Sequence, residues 1–428
     1  MARCPAVTNL IEDLRWRGLV QQMTDDRLLP ALLATERVTG YIGFDPTADS
    51  LHVGHLQQIL LLRRLQDAGH RPVALVGGGT GMIGDPGGRS EERNLLDDTA
   101  LAANRQGIRR QLERYMDFGP AGAVLEDNAT WLGTVGLLDF LRDVGKLFTV
   151  NEMVRKDSVR SRLETRDQGL SFTEFSYMLL QAWDYLQLFD RHGCRLQLGG
   201  SDQWGNITEG VDLVRKRRAA QVFGLTSPLV LKADGTKFGK SETGTVWLDS
   251  ARTSPYAFFQ FWLRTGDSEV GSYLRRMTLL PHEEIADLEE LAAARPERRE
   301  AQRVLAREVT ALTHGPTEAD RVEHAAAVLY SEDIAGLDEA TLEAVLSEAP
   351  TATLTASELD GGLSVADALV LSGLARSSSE ARRTFPGVSI NNRAVADNRL
   401  LDTADALHGR FVVLRRGKRA QAVLVVAR

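Results

Sequence analysis

A chain of 428 residues suits roughly three domains of about 150 residues, each able to bury its own core. With 43% hydrophobic and 25% charged residues, 38 glycines and 13 prolines, the composition fits a folded globular protein and excludes disordered, collagenous and coiled-coil chains. No run approaches the roughly 18 apolar residues of a membrane helix, and MARCPAVTNLIEDLRWRG lacks the apolar centre of a signal peptide, so a cytoplasmic protein with no membrane partner is expected. Two cysteines, Cys4 and Cys194, are too few for a disulfide framework or a Cys-rich zinc site, and no metal site is expected.

The net charge of −7 argues by itself against a nucleic-acid partner. Its distribution reverses that reading. Residues 361–428 carry eleven Lys and Arg against five acids, net +6, which leaves −13 on the remainder. A small basic module on an acidic body is the charge pattern of a polyanion binder.

In chain order, residues 1–250 alternate short apolar runs ending in glycine (VTGYIGF at 38–44, PVALVGGG at 72–79, LQLGG at 196–200) with longer amphipathic stretches. That alternation predicts an α/β domain, a mostly parallel sheet with helices on both faces. Residues 251–325 show helical spacing (YAFFQFWLRT, EEIADLEELAAA, REAQRVLAREVTALTH) and predict a helical domain. Residues 326–360 belong to an acidic stretch that reads as a helical arm ending in a linker at the Pro-Thr-Ala-Thr of 350–353. Residues 361–428 alternate helix and turn, then strands (VSINNRAV, RFVVLRRGKRAQAVLVVA), a compact α+β unit. No internal repeat is visible.

Five constellations could carry chemistry. LHVGHL at 51–56 follows a strand and the loop DPTADS, with Asp49 and Ser50 as candidate helix caps, so His52 and His55 fall at a helix N-terminus where free amides and the dipole favour anions. Gly54 lets a ligand approach the backbone; two histidines three apart could also share a metal or simply face solvent. KADGTKFGKSE at 232–242 places Lys237 and Lys240 on a glycine-flanked loop that is either a phosphate clasp or a solvated hairpin. GGGTGMIGDPGG at 77–88 puts many amides and Asp85 at a strand's carboxyl edge, without the Gly-Lys-Ser of a P-loop or a dinucleotide fingerprint. GGSDQWGNIT at 199–208 brings Asp202 and Gln203 to a similar edge. Tyr177, Gln181 and Asp184, spaced four and three apart in SYMLLQAWDYL, share one helix face, and a buried polar stripe needs a partner.

Taken together, these residues closely resemble the bacterial tyrosyl-tRNA synthetases, and the resemblance spans essentially the whole chain. HVGH at 52–55 resembles the class I HIGH element, and KFGKS at 237–241 resembles its KMSKS element. The resemblance implies a Rossmann-type catalytic domain, a helical anticodon-side domain and a C-terminal RNA-binding domain of the ribosomal-protein S-four type. It also implies activation of L-tyrosine by ATP with magnesium, transfer of the tyrosyl group to tRNA(Tyr), and a homodimer. By that resemblance His52, His55, Lys237, Lys240 and Thr47 stabilise the reacting phosphates, with Ser241 as helper. Asp202 contacts the ribose, Gln203 the substrate, and Gly43, Gly54 and Gly200 admit the nucleotide, with Asp45 and Asp85 lining the cleft. Tyr41 and Asp184 bind the phenol, while Asp85, Tyr177 and Gln181 hold the ammonium group, with Gln197 nearby.

RNA contacts fall to Arg215 and Lys216, with Arg217 and Arg218, for the acceptor stem, although a solvated helix face is an equal reading. In the tail the candidates are Arg376, Arg382, Arg383 and Arg393, helix-borne arginines beside a turn. Tryptophanyl-tRNA synthetases are the nearest alternative, and the Tyr41 and Asp184 pair argues against them. An HxGH nucleotidyltransferase would share HVGH but would need no basic C-terminal module. The apolar stretch LLDFLRDVGKLFTVNEM at 137–153 is either a subunit interface or core.

Overall fold

The computed structural model describes residues 9–85, 98–156, 159–160, 170–230, 238–241, 244–329, 331–346, 349–383, 385, 387–417 and 420–427. Lys237, with 232–236 of its motif, and 86–88 of the glycine run lie outside the described residues. The chain divides into two compact units, Met1–Arg252 with Arg264–Leu305, and Thr253–Leu263 with Ala306–Arg428.

The first unit is built on a six-stranded sheet. Its strands are β1 (Gln22–Met23), β2 (Thr39–Phe44), β3 (Arg71–Val76), β4 (Val124–Asp127), β5 (Cys194–Gly200) and β6 (Phe223–Ser227). Their spatial order is β1-β6-β5-β2-β3-β4, all parallel except β1, which pairs antiparallel with β6. Near-continuous burial of β3, β5 and β6 explains why they read as apolar runs, for helices cover both faces of a parallel sheet. The chain first moves outward from β2 to β3 and β4, then returns to place β5 on the other side of β2. That reversal opens a crevice beyond the carboxyl ends of β2 and β5, the usual ligand position in such sheets.

The helix Phe172–His192 lies against the sheet. Ser171 caps its start in a capping box with Glu174, and Gly193 ends it at φ 59°. Its buried face carries Tyr177, Met178, Asp184, Tyr185 and Leu188, so two members of the polar stripe predicted from spacing, Tyr177 and Asp184, are buried, and Gln181 is half-buried. Two short strands, β7 (Lys240–Ser241) and β8 (Gly244–Thr245), form a hairpin.

The second unit holds the helices Pro255–Leu263, Pro316–Val328 and Glu339–Leu346 and a five-stranded sheet. That sheet comprises β9 (Thr351–Thr355), β10 (Val388–Ile390), β11 (Arg393–Ala394), β12 (Phe411–Arg416) and β13 (Ala420–Ala427), ordered β11-β10-β12-β13-β9. The stretch read as a linker at 350–353 is corrected here: Thr351–Thr355 is β9, paired in parallel with β13 from Val423↔Thr351 to Ala427↔Thr355. Leu354, 2% exposed, joins the core of that sheet with Leu424 and Val426. Five residues of TATLT carry too little pattern to signal a strand whose partner lies about 70 positions later.

The same unit ties its sheet to its acidic helical segment. Asn392 Nδ2 donates to the carbonyls of Leu329 and Ser331 at 2.8 and 2.6 Å, Arg410 reaches Glu343 at 2.7 Å, and His408 Nε2 meets the Leu337 carbonyl at 2.7 Å. Asn391 and Asn392, at φ 48° and 64°, make the tight turn between β10 and β11 that brings Asn392 there.

Candidate active site

The HVGH turn is built by its own histidines. The helix begins at Val53, with His52 rather than Asp49 or Ser50 as its cap: His52 Nδ1 accepts from the Gly54 amide at 3.0 Å, and His55 Nδ1 accepts from the His52 amide at 3.2 Å. Ser50 instead donates to the Leu51 carbonyl at 2.7 Å. With both Nδ1 atoms accepting, each neutral ring carries its proton on Nε2, a donor for an anion. The rings lie 4.0 Å apart between centroids. A Cβ at Gly54 would stand 2.7 Å from the His52 ring, so only glycine permits this cap.

The segment Phe238–Ser241 is fastened to the same turn. Val53 N donates to Val246 O at 3.1 Å, Leu248 N to Leu51 O at 2.9 Å, and Val246 N to Gly239 O at 2.9 Å. His52 and Trp247 face each other in an isolated antiparallel bridge, their rings 6.0 Å apart. Gly239, at φ 90°, passes so close that a Cβ would lie 2.9 Å from Val53 Cγ2 and 3.4 Å from the Gly54 amide. The backbone of Lys240 and Ser241 is therefore carried next to the HVGH helix, and Arg252 lies over Trp247 at 4.7 Å while pairing with Asp49 at 2.6 Å. On the other side of the loop, Gln57 Nε2 donates to Ser227 Oγ at 3.0 Å and to the Pro228 carbonyl at 2.8 Å, holding the end of β6.

Tyr41 and Gln197 are register partners on β2 and β5. Both are buried, at 1% and 3% exposure, and neither the Tyr41 hydroxyl nor Gln197 Oε1 has a hydrogen-bond partner among the described residues. Burial, with the nearby Asp184 carboxylate, pushes the Tyr41 phenol well above its usual pKa. Asp184 accepts from Trp131 Nε1 at 2.7 Å on one oxygen and from Asn128 Nδ2 at 2.9 Å on the other. Burial raises its pKa to about 7, while those two donors oppose the rise and Asp45 and Asp127 add to it. Each carboxylate oxygen retains lone-pair capacity for a further donor. An unpaired buried hydroxyl beside such a carboxylate suits a ligand hydroxyl that accepts from one and donates to the other.

The remaining candidates lie along the carboxyl edge. Asp45 follows β2 and accepts from Tyr177 Oη at 3.1 Å and Thr80 Oγ1 at 2.9 Å. The structure thus joins Asp45, read from sequence with the nucleotide groups, to the residues read for the ammonium group. Asp85 accepts from Gln203 Nε2 at 2.7 Å; Asn206 Nδ2 donates to Gln181 at 3.1 Å and to Gln203 at 3.3 Å. Asp202 sits exposed at the cleft mouth, yet enough protein surrounds its carboxylate that desolvation raises its pKa. Gly43 is open on its side-chain face, Thr47 is exposed, and Gly200 is crowded by Asp202 and Leu229.

Reading by motif missed Asn128, Trp131, Thr80, Asn206 and Trp247. Asn128 is the centre of the pocket floor, bonding Asp184, Thr80 Oγ1 at 2.9 Å and the Gly79 amide at 2.7 Å. Its signal was available: it directly follows β4, at the edge that holds the other candidates.

The basic run is partly neutralised within the chain. Arg215 pairs with Asp212, Lys216 lies 2.5 Å from Asp212, and Arg218 lies 2.6 Å from Asp190. In the tail, Arg382 and Arg383 end the helix Ser378–Arg383, whereas Arg393 lies on β11 and Arg376 precedes the helix, which corrects their reading as helix-borne.

With this geometry in hand, similarity to known proteins is specific. Residues 33–331 match the family model of the class I tRNA synthetases (W and Y), and residues 341–424 match that of the tyrosine–tRNA ligase SYY-like C-terminal domain. The tyrosine–tRNA ligase of Roseiflexus castenholzii is 52% identical over 419 residues, covering 96% of this chain and 98% of that protein. That of Geobacillus stearothermophilus is 49% identical over 417 residues, covering 96% and 98%. The C-terminally truncated mitochondrial tyrosyl-tRNA synthetase of Aspergillus nidulans superposes with a TM-score of 0.68 at 34% identity, over 75% of this chain and 94% of that one. A tryptophanyl-tRNA synthetase of Encephalitozoon cuniculi, at 14% identity and TM-score 0.54, shares the fold alone. An α/β sheet with its crevice at the β2 and β5 switch, an HVGH turn joined to a KFGKS segment, and these matches over nearly the full length place the chain in the tyrosine–tRNA ligase family of class I tRNA synthetases.

Proposed function

We propose that the cleft activates L-tyrosine with ATP to tyrosyl-adenylate and pyrophosphate and then passes the tyrosyl group to the terminal ribose of tRNA(Tyr). The observation that carries the choice of amino acid is the buried, unpaired Tyr41 hydroxyl beside Asp184. A phenol fills both needs at once, and phenylalanine would leave both groups unpaired. The indole of tryptophan offers a donor to Asp184 but no acceptor to Tyr41.

In the first step the tyrosine carboxylate attacks the α-phosphorus and pyrophosphate leaves, so positioning and charge stabilisation do the work and no protein nucleophile is needed. His52 and His55 present Nε2–H donors at a helix N-terminus, where the dipole favours the phosphate charge. Lys237 and Lys240 of the KFGKS element add positive charge, and Thr47 and Ser241 add hydroxyls. Tyr177, Gln181 and Asp85 orient the ammonium group, with Gln203 bonded to Asp85 and Asp202 available to the ribose. Magnesium enters with ATP as part of the substrate complex; among the described residues no cluster of His, Cys, Asp and Glu forms a metal site.

The active assembly is a homodimer in the cytoplasm. Supporting the dimer, Leu137, Leu138, Val150 and Phe172 are 72%, 80%, 62% and 77% exposed, an apolar set around the stretch singled out at 137–153. Arg215 and Lys216 serve the acceptor stem of tRNA by exchanging Asp212 for phosphate, and Arg382 and Arg383 serve a structured RNA surface. Amino-acid-dependent pyrophosphate exchange, run across the twenty amino acids without tRNA, tests the central claim. Exchange with tyrosine alone is expected, and exchange with tryptophan or with none would overturn it.

A further inference from the structure

The helix Asp98–Tyr115 has no place in the reaction described above, yet one of its faces is shaped to the loop that precedes HVGH. Asn104, Gly107 and Gln111, spaced three and four apart, share that face. Asn104 Nδ2 donates to the Pro46 carbonyl at 3.1 Å. A Cβ at Gly107 would stand 2.0 Å from the Asp49 carbonyl oxygen, so the loop backbone rests directly on the helix. Gln111 closes the stripe with two bonds, accepting from the Leu51 amide at 2.8 Å and donating to Ser50 Oγ at 2.9 Å. Ser50 Oγ in turn accepts from the Asp249 amide at 3.3 Å, two residues beyond Trp247.

Asn104 and Gln111 are 8% and 4% exposed, and burying amides is costly unless their bonds are needed and met. Simple packing of a helix on a loop would be served by apolar side chains. Here the buried polar atoms are spent on fixing loop residues 46, 50 and 51, on either side of Thr47 and up to the first histidine.

We propose that the helix Asp98–Tyr115 is the positioning element for the loop Pro46–Leu51, and that Gln111 is the positioning residue through which it sets Thr47 and the HVGH turn for the leaving pyrophosphate. The inference rests on the assignment of Thr47, His52 and His55 to that pyrophosphate. It acts on the transition state more than on tyrosine binding, because the phenol and ammonium partners stand on the sheet, on the helix Phe172–His192 and on other edge loops.

The test is pyrophosphate exchange and thermal unfolding on the full chain for Gln111→Met, Gln111→Glu, Thr47→Ala, His52→Ala and the double variant Gln111→Met with Thr47→Ala. Gln111→Met keeps the length and loses both bonds; its kcat should fall by about 10- to 100-fold, the loss expected of a misplaced reacting group, with the KM for tyrosine changed less than about twofold. Gln111→Glu retains the acceptor for Leu51 N and should recover most of the rate. The double variant should be no slower than its slower parent by more than about threefold, because both changes disable one loop. A folded Gln111→Met enzyme with normal kcat, or losses that multiply in the double variant, overturns the proposal. Should Gln111→Met fail to fold, Asn104→Ala carries the same split between kcat and KM. A normal rate in His52→Ala would instead overturn the pyrophosphate assignment itself, so the two failures are distinguishable.

Discussion

The indole Nε1–H of Trp131 donates to Asp184 at 2.7 Å, and the guanidinium of Arg191 lies 4.9 Å above the same ring. The carboxylate proposed to read the substrate phenol is thus aimed by a neighbouring buried side chain. Asn128 holds the second oxygen, so the Asp184 rotamer is defined at both ends.

Trp131→Phe keeps the ring and removes that donor, leaving one Asp184 oxygen short of a partner. Losing such a buried bond costs about 1–3 kcal/mol, so the KM for tyrosine should rise by roughly tenfold and the preference over phenylalanine should narrow. Exchange kinetics with both amino acids check this, and an unchanged tyrosine-to-phenylalanine ratio would contradict it.

Asp184 also makes stability depend on pH. Its folded pKa of about 7 stands above the ordinary 3.8, so the folded protein holds the proton more tightly than the unfolded chain. The associated stability is present below about pH 4 and is lost as the pH rises to about 7, a contribution on the order of a few kcal/mol. Asp184→Asn removes the group, so its unfolding free energy should lose less between pH 4 and 7 than the parent's. Urea denaturation across that range decides the matter; parallel curves for the two proteins would refute the assignment.

Gly239→Ala should loosen the joint between the KFGKS segment and the HVGH helix. The left-handed backbone at φ 90° and the 2.9 Å approach to Val53 Cγ2 both resist a methyl group, a strain of about 1–3 kcal/mol. Expected is a fall in kcat for exchange with tyrosine binding by equilibrium dialysis unchanged. Loss of tyrosine binding would show that the segment reaches the amino-acid pocket too.

Leu137→Glu with Leu138→Glu places two charges on residues 72% and 80% exposed. The folded catalytic unit should be retained while sedimentation velocity shifts from dimer to monomer. A dimer that persists would move the interface elsewhere on the surface.

Much of this site could be read in the chain as written. His52, His55, Asp85, Asp202 and Gln203 sit in runs whose glycines and flanking strands announce a carboxyl edge, Tyr177 and Asp184 follow from helical spacing, and β2, β3 and β5 begin and end within three residues of their apolar runs. Asp49 and Ser50 were reasonable caps by type, yet the histidines displaced them, because a ring nitrogen at Nδ1 reaches the same amides and needs only Gly54 beside it. Asn128 and Trp131 gave no motif, since their role exists only where β4 lies beside β3 and the helix Phe172–His192 crosses above.

From its residues alone, then, the chain determined its local elements, its glycine-rich and HVGH turns and the polar face of one long helix, because these depend on spacings of a few residues. Tertiary structure decided that β9 joins β13 and that Gln111 meets Leu51 across 60 positions. It also left the buried Tyr41 hydroxyl without a hydrogen-bond partner among the described residues while Asp184 found two. Such pairings are set by which surfaces the folded sheet brings together, and no short stretch of sequence contains both halves of the bond.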